Sequence, residues 1–237
     1  MEEIQVTENK LGTLAIDKLL LEMAIPMVIS MLVQSIYNIV DSMFVARVSE
    51  DALTAVSLAF PVQNILIAFA VGIGVGASAL LSRFLGENNR DRVGSVAIHG
   101  IVISAITYVI FALLGLLFTG AFADAQGQNS AVTTYTKEYT YIVTIFSIGI
   151  FYQVLAEKLL QATSLTKYTM ITQMSGAIIN LILDPILIFG LFGFPRLEVK
   201  GAAIATVIGQ LGGALIGFYF NKTKNTDIKF TTEKFRF

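Results

Sequence analysis

Residues 52–82 read ALTAVSLAFPVQNILIAFAVGIGVGASALLS, 31 positions without Asp, Glu, Lys or Arg. Crossing a hydrocarbon core of about 30 Å takes roughly 20 helical residues, so this stretch reads as a transmembrane helix with interfacial turns at its ends. Others resemble it. Residues 93–123 are uncharged over 31 positions, 23–40 and 139–156 over 18 each, and 201–221 over 21. Residues 168–195 hold one charge, Asp184. Six spans follow, at about 23–46, 52–82, 93–123, 139–162, 168–192 and 201–221. Alternating segments of about ten residues, the mark of a membrane barrel, are absent. The expected fold is an all-α integral membrane protein, a six-transmembrane-helix bundle.

Composition agrees. Of 237 residues 55% are hydrophobic and 14% charged, against about 25% charged in soluble domains. A net charge of −1 offers no field for nucleic acid. The chain has no cysteine and one histidine, His99, which removes thiol nucleophiles, Cys-ligated metals and His-based catalysis. No cofactor and no enzyme activity are expected.

The connectors carry turn-forming and charged residues, as in Gly86-Glu87-Asn88-Asn89-Arg90-Asp91-Arg92 and in 124–138, with Gly127, Gln128, Asn129 and Ser130. Basic residues set orientation. Lys10, Lys18, Arg83, Arg90, Arg92, Lys158, Lys167, Lys222, Lys224, Lys229, Lys234 and Arg236 fall on one side, against Arg47, Lys137, Arg196 and Lys200 on the other. Both termini are therefore expected in the cytoplasm, with 1–22 an interfacial lead-in rather than a signal peptide and 222–237 a cytoplasmic linker or tail. Leu11, Leu14, Ile16, Leu19 and Leu20 give that lead-in its apolar side.

Within the spans, a charge near the bilayer centre costs roughly 2.5–3.5 kcal/mol on the translocon scale, so those present normally have a task. Asp41 and Asp184 stand out. Gln34, Asn38 and Asp41 recur at helical spacing with Tyr37 beside them; Asn180 precedes Asp184 by one turn, and Thr206 precedes Gln210 likewise. At 1.5 Å per residue, Asp41 and Thr206 lie about 7–8 Å, and Asp184 about 12 Å, below the outer ends of their helices. A shared cavity in the outer half is possible. Pro185 also frees the carbonyl of Leu181, so the cluster suits a hard monovalent cation, and its carboxylates could equally take up protons.

Other features read as structural. The run Gly72-Ile73-Gly74-Val75-Gly76-Ala77 matches a dinucleotide-binding pattern, but inside an apolar span it reads as a small-residue surface for close helix packing. Gly209, Gly213 and Gly217 read the same way. His99 is expected to be packed or interfacial. Glu157 and Lys158 are expected to pair or snorkel, and Gln153, Glu157 and Gln161 share a face that could serve gating.

The stretches 34–45 (QSIYNIVDSMFV), 52–57 (ALTAVS) leading to Pro61, 180–189 (NLILDPILIF) and 200–206 (KGAAIAT) resemble, in order and spacing, those of the MATE family of multidrug and toxic compound extrusion transporters. The likeness runs from about residue 15 to 220. It implies one lobe of a 6+6 transporter and an ion-coupled antiporter that exports organic, often cationic, compounds from the cell (plasma or inner) membrane. It implies Na⁺ or H⁺ as coupling ion, carried by Asp41 and Asp184, with Asn180 and Thr206 completing a candidate sodium site. Gln34, Tyr37, Asn38 and Tyr139 match the cavity-lining polar neighbours. Its partners would be membrane lipid, a small organic substrate and a second six-helix lobe or second copy. Ala46, Ser49 and Ser164 stand where relatives often carry glycine. The family has two such bundles and this chain one, so a fragment or paired copies are expected. Flipping of a lipid-linked precursor and a non-transporting assembly module are the alternatives.

Overall fold

The computed structural model describes residues 15–127 and 129–228. The readings placed on Lys10, Leu11, Leu14, Gln128, Lys229, Lys234 and Arg236 lie outside those residues. Seven α-helices follow one another: α1 (Ile16–Ala46), α2 (Glu50–Gly86), α3 (Arg90–Gln126), α4 (Ser130–Ile145), α5 (Ile148–Ala162), α6 (Thr166–Phe189) and α7 (Val199–Thr223). A 3₁₀ turn, Leu191–Gly193, lies between the last two. Among the described residues five helices are long and apolar enough to cross a membrane, and α4 with α5, bent by 48° at their junction, are long and apolar enough together to make a sixth crossing. The protein is an all-helical, multi-pass membrane bundle.

Helix ends overrun the uncharged stretches because capping, not charge, sets them. Ser49 Oγ accepts the Ala52 N–H at 3.0 Å and opens α2 with Glu50 and Asp51 in its first turn. Asn89 and Asn129 do the same for α3 and α4, at 3.3 and 2.8 Å. The helix that holds Tyr139 therefore begins at Ser130, so that most of the expected connector 124–138 is helical. Lys137 and Glu138 lie inside α4, paired with Asp124 (2.7 Å) and Lys200 (2.9 Å).

Two helices on the face that carries Ile16 and Thr223 end in Schellman motifs. In α2 the N–H of Asn89 reaches the Phe84 carbonyl and that of Asn88 the Leu85 carbonyl. In α5 Leu165 reaches Leu160 and Ser164 reaches Gln161. Both motifs need a left-handed residue, supplied by Asn88 (φ 55°) and Ser164 (φ 62°). Asparagine tolerates that region; serine does so less readily. The Ser164 hydroxyl is also buried without a hydrogen-bond partner. Replacing Ser164 with Gly removes both costs and should raise stability by about 1 kcal/mol. A higher thermal midpoint of the purified protein would show it; a lower one would contradict this account.

Just before the break between α4 and α5, Thr144 Oγ1 bonds back to the Thr140 carbonyl at 2.7 Å. Beyond it Gly149 seats α5 on α7, where a Cβ would come within 2.9 Å of the Leu211 nitrogen. Three apolar layers fill the bundle: Val45, Ala52, Tyr139 and Ile188 at one face, Leu66, Ala70 and Phe151 in the middle, and Leu81, Val93, Leu155 and Leu159 toward the termini. Helix α1 packs mainly on α6 and buries only Pro26, Ser30 and Val45 among its residues.

Candidate functional site

The first layer holds the polar cluster. Helix α6 delivers Asn180 and Asp184, 3% and 0% exposed. Pro185 follows within a helix that continues to Phe189, while Leu181 points outward at 37% exposure. Asn180 is satisfied at both ends in one amide orientation. There Nδ2 donates to Asp184 Oδ2 at 3.1 Å and Oδ1 accepts from the Thr206 N–H at 3.1 Å. The reversed amide leaves contacts of 3.4 Å to Asp184 and 3.5 Å to Thr206 Oγ1. Thr206 Oγ1 in turn donates to the Ala202 carbonyl at 2.9 Å.

Helix α1 brings Asp41 to this pocket, its carboxyl group within hydrogen-bonding range of Asp184. Two carboxylates only accept, so neither satisfies the other unless a proton lies between them. Asp41 Oδ1 is in fact buried without a partner. Tyr37 stands beside both acids. From α4 comes Tyr139, buried at 2% exposure in the same apolar layer.

The six-residue group of Tyr37, Asp41, Tyr139, Asn180, Asp184 and Thr206 thus comes together. Gln34 and Asn38 do not join it; both are exposed. Their helix is peripheral, and only the Tyr37–Asp41 side turns toward α6. Gln63 of α2 was not foreseen, yet its Nε2 donates to the Tyr139 hydroxyl at 3.2 Å. Its signal was present: Gln63 and Asn64 are adjacent amides within a 31-residue uncharged run.

A second departure concerns Glu157. It neither pairs with Lys158 nor snorkels: it is 5% exposed, and Lys158 Nζ bonds Gln161 Oε1 at 3.0 Å instead. Gln153 and Gln173 hold the carboxylate, at 3.0 and 2.8 Å. The small-residue runs also divide. Gly74 lies under Lys158 and Val154, but a Cβ on Gly72 or Gly76 would meet nothing within 4 Å. Those two glycines line a groove of about 1180 Å³ between α2 and α3, together with Phe84, Arg92 and His99. His99 Nδ1 lies 2.7 Å from the Ser95 carbonyl oxygen.

With the site in place, its likeness to known proteins can be read. The MatE family profile matches residues 26–186, two thirds of the chain. The chain belongs to the MatE family. Over 196 residues it is 31% identical to the FAD transporter of Shewanella oneidensis, covering 83% of this chain and 43% of that protein. It is 30% identical to the probable multidrug resistance protein YoeA of Bacillus subtilis, over 87% of this chain and 45% of that protein. The same identity links it to the multidrug export protein MepA of Staphylococcus haemolyticus, over 92% and 48%. A solved MOP-superfamily transporter from Pyrococcus furiosus superposes with a TM-score of 0.84 at 29% identity, over 92% of this chain and 48% of that one. A structure of a MATE P26A mutant superposes with a TM-score of 0.86 at 28% identity, over 96% and 50%. MatE family members are transporters rather than enzymes. The chain spans somewhat under half the length of the curated relatives it matches.

Proposed function

We propose that this MatE chain is one lobe of an ion-coupled exporter of organic compounds, its Asp41–Asp184 pair taking up the coupling ion. The observation that carries the reading is the buried Asp41 Oδ1, without a hydrogen-bond partner and facing a second carboxyl group. A bound cation or a shared proton removes that deficit, and export of substrate would follow from which side of the membrane supplies it.

The pocket's hydrogen bonding suits the proton. In the amide orientation that satisfies both of its ends, Asn180 gives its nitrogen to Asp184 and its oxygen to the Thr206 N–H. Sodium ligated by Asp41, Asp184, Asn180 and Thr206 would need that amide to reverse, giving up the bond to the Thr206 N–H. A proton held between the carboxyls needs no rearrangement. In proteoliposomes carrying the lobe within its transporter, an imposed proton gradient without sodium should therefore drive efflux of an organic cation. Efflux that requires a sodium gradient and ignores pH would overturn the choice of proton.

The exposed amides of Gln34 and Asn38 support a second lobe as partner. Both lie on a membrane-crossing helix, and polar groups at that depth call for water or protein rather than lipid. A water-filled cleft between this bundle and another satisfies them and admits the substrate. Both termini in the cytoplasm, supported by the basic-residue bias, and residence in the plasma membrane, supported by the family likeness, complete the reading.

A further inference from the structure

Glu157 is an ionisable side chain that the Asp41–Asp184 pocket does not use. It sits on α5 between the middle apolar layer, at Val154, and the termini-side layer, at Leu155 and Leu159. A buried carboxylate costs several kcal/mol unless its oxygens are satisfied. Here each oxygen has one donor, Gln153 Nε2 on Oε1 and Gln173 Nε2 on Oε2. Among the described residues, the helices packed on α5 offer no counter-charge at those oxygens. Helix α6 presents Gln173 and Thr169, whose hydroxyl donates to the Glu157 backbone carbonyl at 3.4 Å. Helix α7 presents Gly213 against the Gln153 amide and Asn221 to the Ala156 carbonyl. Helix α2 places Gly74 against the Lys158 stem, and α3 places Gly100 against Leu155. Among the described residues, Lys158, whose ammonium bonds Gln161, is the charged group acting on Glu157.

The choice of partners points to a change of protonation state. An arginine or lysine on the carboxylate would favour one charge state permanently. A glutamine serves both, offering N–H to a carboxylate and, with its amide reversed, a carbonyl oxygen to a carboxylic acid. Two such amides flank Glu157, so a proton arriving on either oxygen finds an acceptor without any helix moving.

Its position relates it to the outer pair. Gln173 and Asp184 share α6, eleven residues or about 16 Å apart. Between them the backbones of α6 and α7 cross at Gly176 and Gly209. A Cβ on Gly209 would fall 2.8 Å from the Gly176 oxygen and 3.1 Å from Asn180 Cβ, and one on Gly176 would lie 3.5 Å from Gln153 Nε2. The order along the seam is Asp184, Asn180, the glycine crossing, Gln153, Glu157. We propose that Glu157 is a second protonatable site of the lobe, an inner station on the seam that also holds Asp41 and Asp184. Its ligand is a proton, taken up on Oε1 or Oε2 from the termini side as the neighbouring amide reverses. The inference rests on the proton-coupled reading of the lobe but stands on separate residues.

Infrared difference spectroscopy on the whole chain in lipid nanodiscs tests it, stepping pH between about 5 and 9 and following the carbonyl stretch of protonated carboxyl groups. Glu157→Gln should delete a titrating component that survives in the Asp41→Asn/Asp184→Asn double variant. Gln173→Leu, which leaves the acid in place, should shift the midpoint of that component alone and keeps the test open should Glu157→Gln fail to fold. A Glu157→Gln spectrum identical to that of the starting protein, or a Gln173→Leu spectrum with no shifted component, overturns the proposal. Loss of every titrating component in the double aspartate variant overturns it too. A double variant that titrates like the starting protein, while Glu157→Gln loses its component, would instead sink the assignment of the outer pair and uphold this one.

Discussion

Asp184→Asn should reduce ion-driven efflux by at least about 10- to 100-fold, the loss already usual when a side chain that only supports an ion's ligands is altered, with no fall in thermal stability. The stability half follows from burial. Asp184 is fully buried against a second acid and carries no counter-charge, so an isosteric neutral amide removes a like-charge contact while keeping the shape. The transport half follows from what the amide cannot do. Asparagine neither holds an exchangeable proton between the two side chains nor supplies a carboxylate to a cation. Asp41→Asn should fall to the same level and the double variant no further, because groups acting as a unit are not additive. Initial rates of gradient-driven efflux in proteoliposomes give the first quantity and the unfolding midpoint the second. Undiminished coupling in Asp184→Asn would remove that residue from the site.

The second large effect lies on the α6–α7 seam. Gly209→Val should destabilise the bundle by about 3 kcal/mol, because its side chain must enter space held by the Gly176 carbonyl and by Asn180. Backbone cannot step aside as a side-chain tip can. Gly76→Val should change stability by no more than about 0.5 kcal/mol, since a Cβ there meets nothing within 4 Å. Thermal unfolding of the two variants in one detergent makes the comparison. Equal effects would mean that the groove between α2 and α3 is filled in the membrane, or that the seam is looser than drawn. Gly209→Ala, with a smaller overlap at the same atoms, gives an intermediate measurement should the valine variant fail to express.

These two glycines show where sequence reading stops. Both lie in runs of small residues within apolar spans, and the pattern states only that a helix could approach closely there. Whether one does depends on a partner from elsewhere in the chain. Gly209 meets Gly176, whereas Gly72 and Gly76 face open space. Gln34 and Asn38 were displaced for the same reason. Their spacing with Asp41 marks a face of α1, but that helix docks by one narrow side and turns the amides outward. Glu157 was misread through its neighbour in sequence: residues i and i+1 do not face each other on a helix. One of its partners, Gln153, lies a turn back on the face that periodicity marks, and the other, Gln173, is on α6.

Some properties of the chain needed nothing but its sequence. The gaps between charges counted the crossings, because the hydrocarbon thickness is a fixed length that any spanning helix must match. The cost of burying a charge in that layer made Asp41 and Asp184 conspicuous before any geometry was known, and their companions Asn180 and Tyr37 followed from helical period. Tertiary structure alone decided which faces meet: that α1 sets Asp41 against Asp184, that Gln63 reaches Tyr139, and that Glu157 lies between two glutamine amides. Periodicity names the side of a helix a residue occupies, but what stands opposite is set by packing between segments distant in sequence, where about half a turn of rotation exchanges a buried partner for an exposed one.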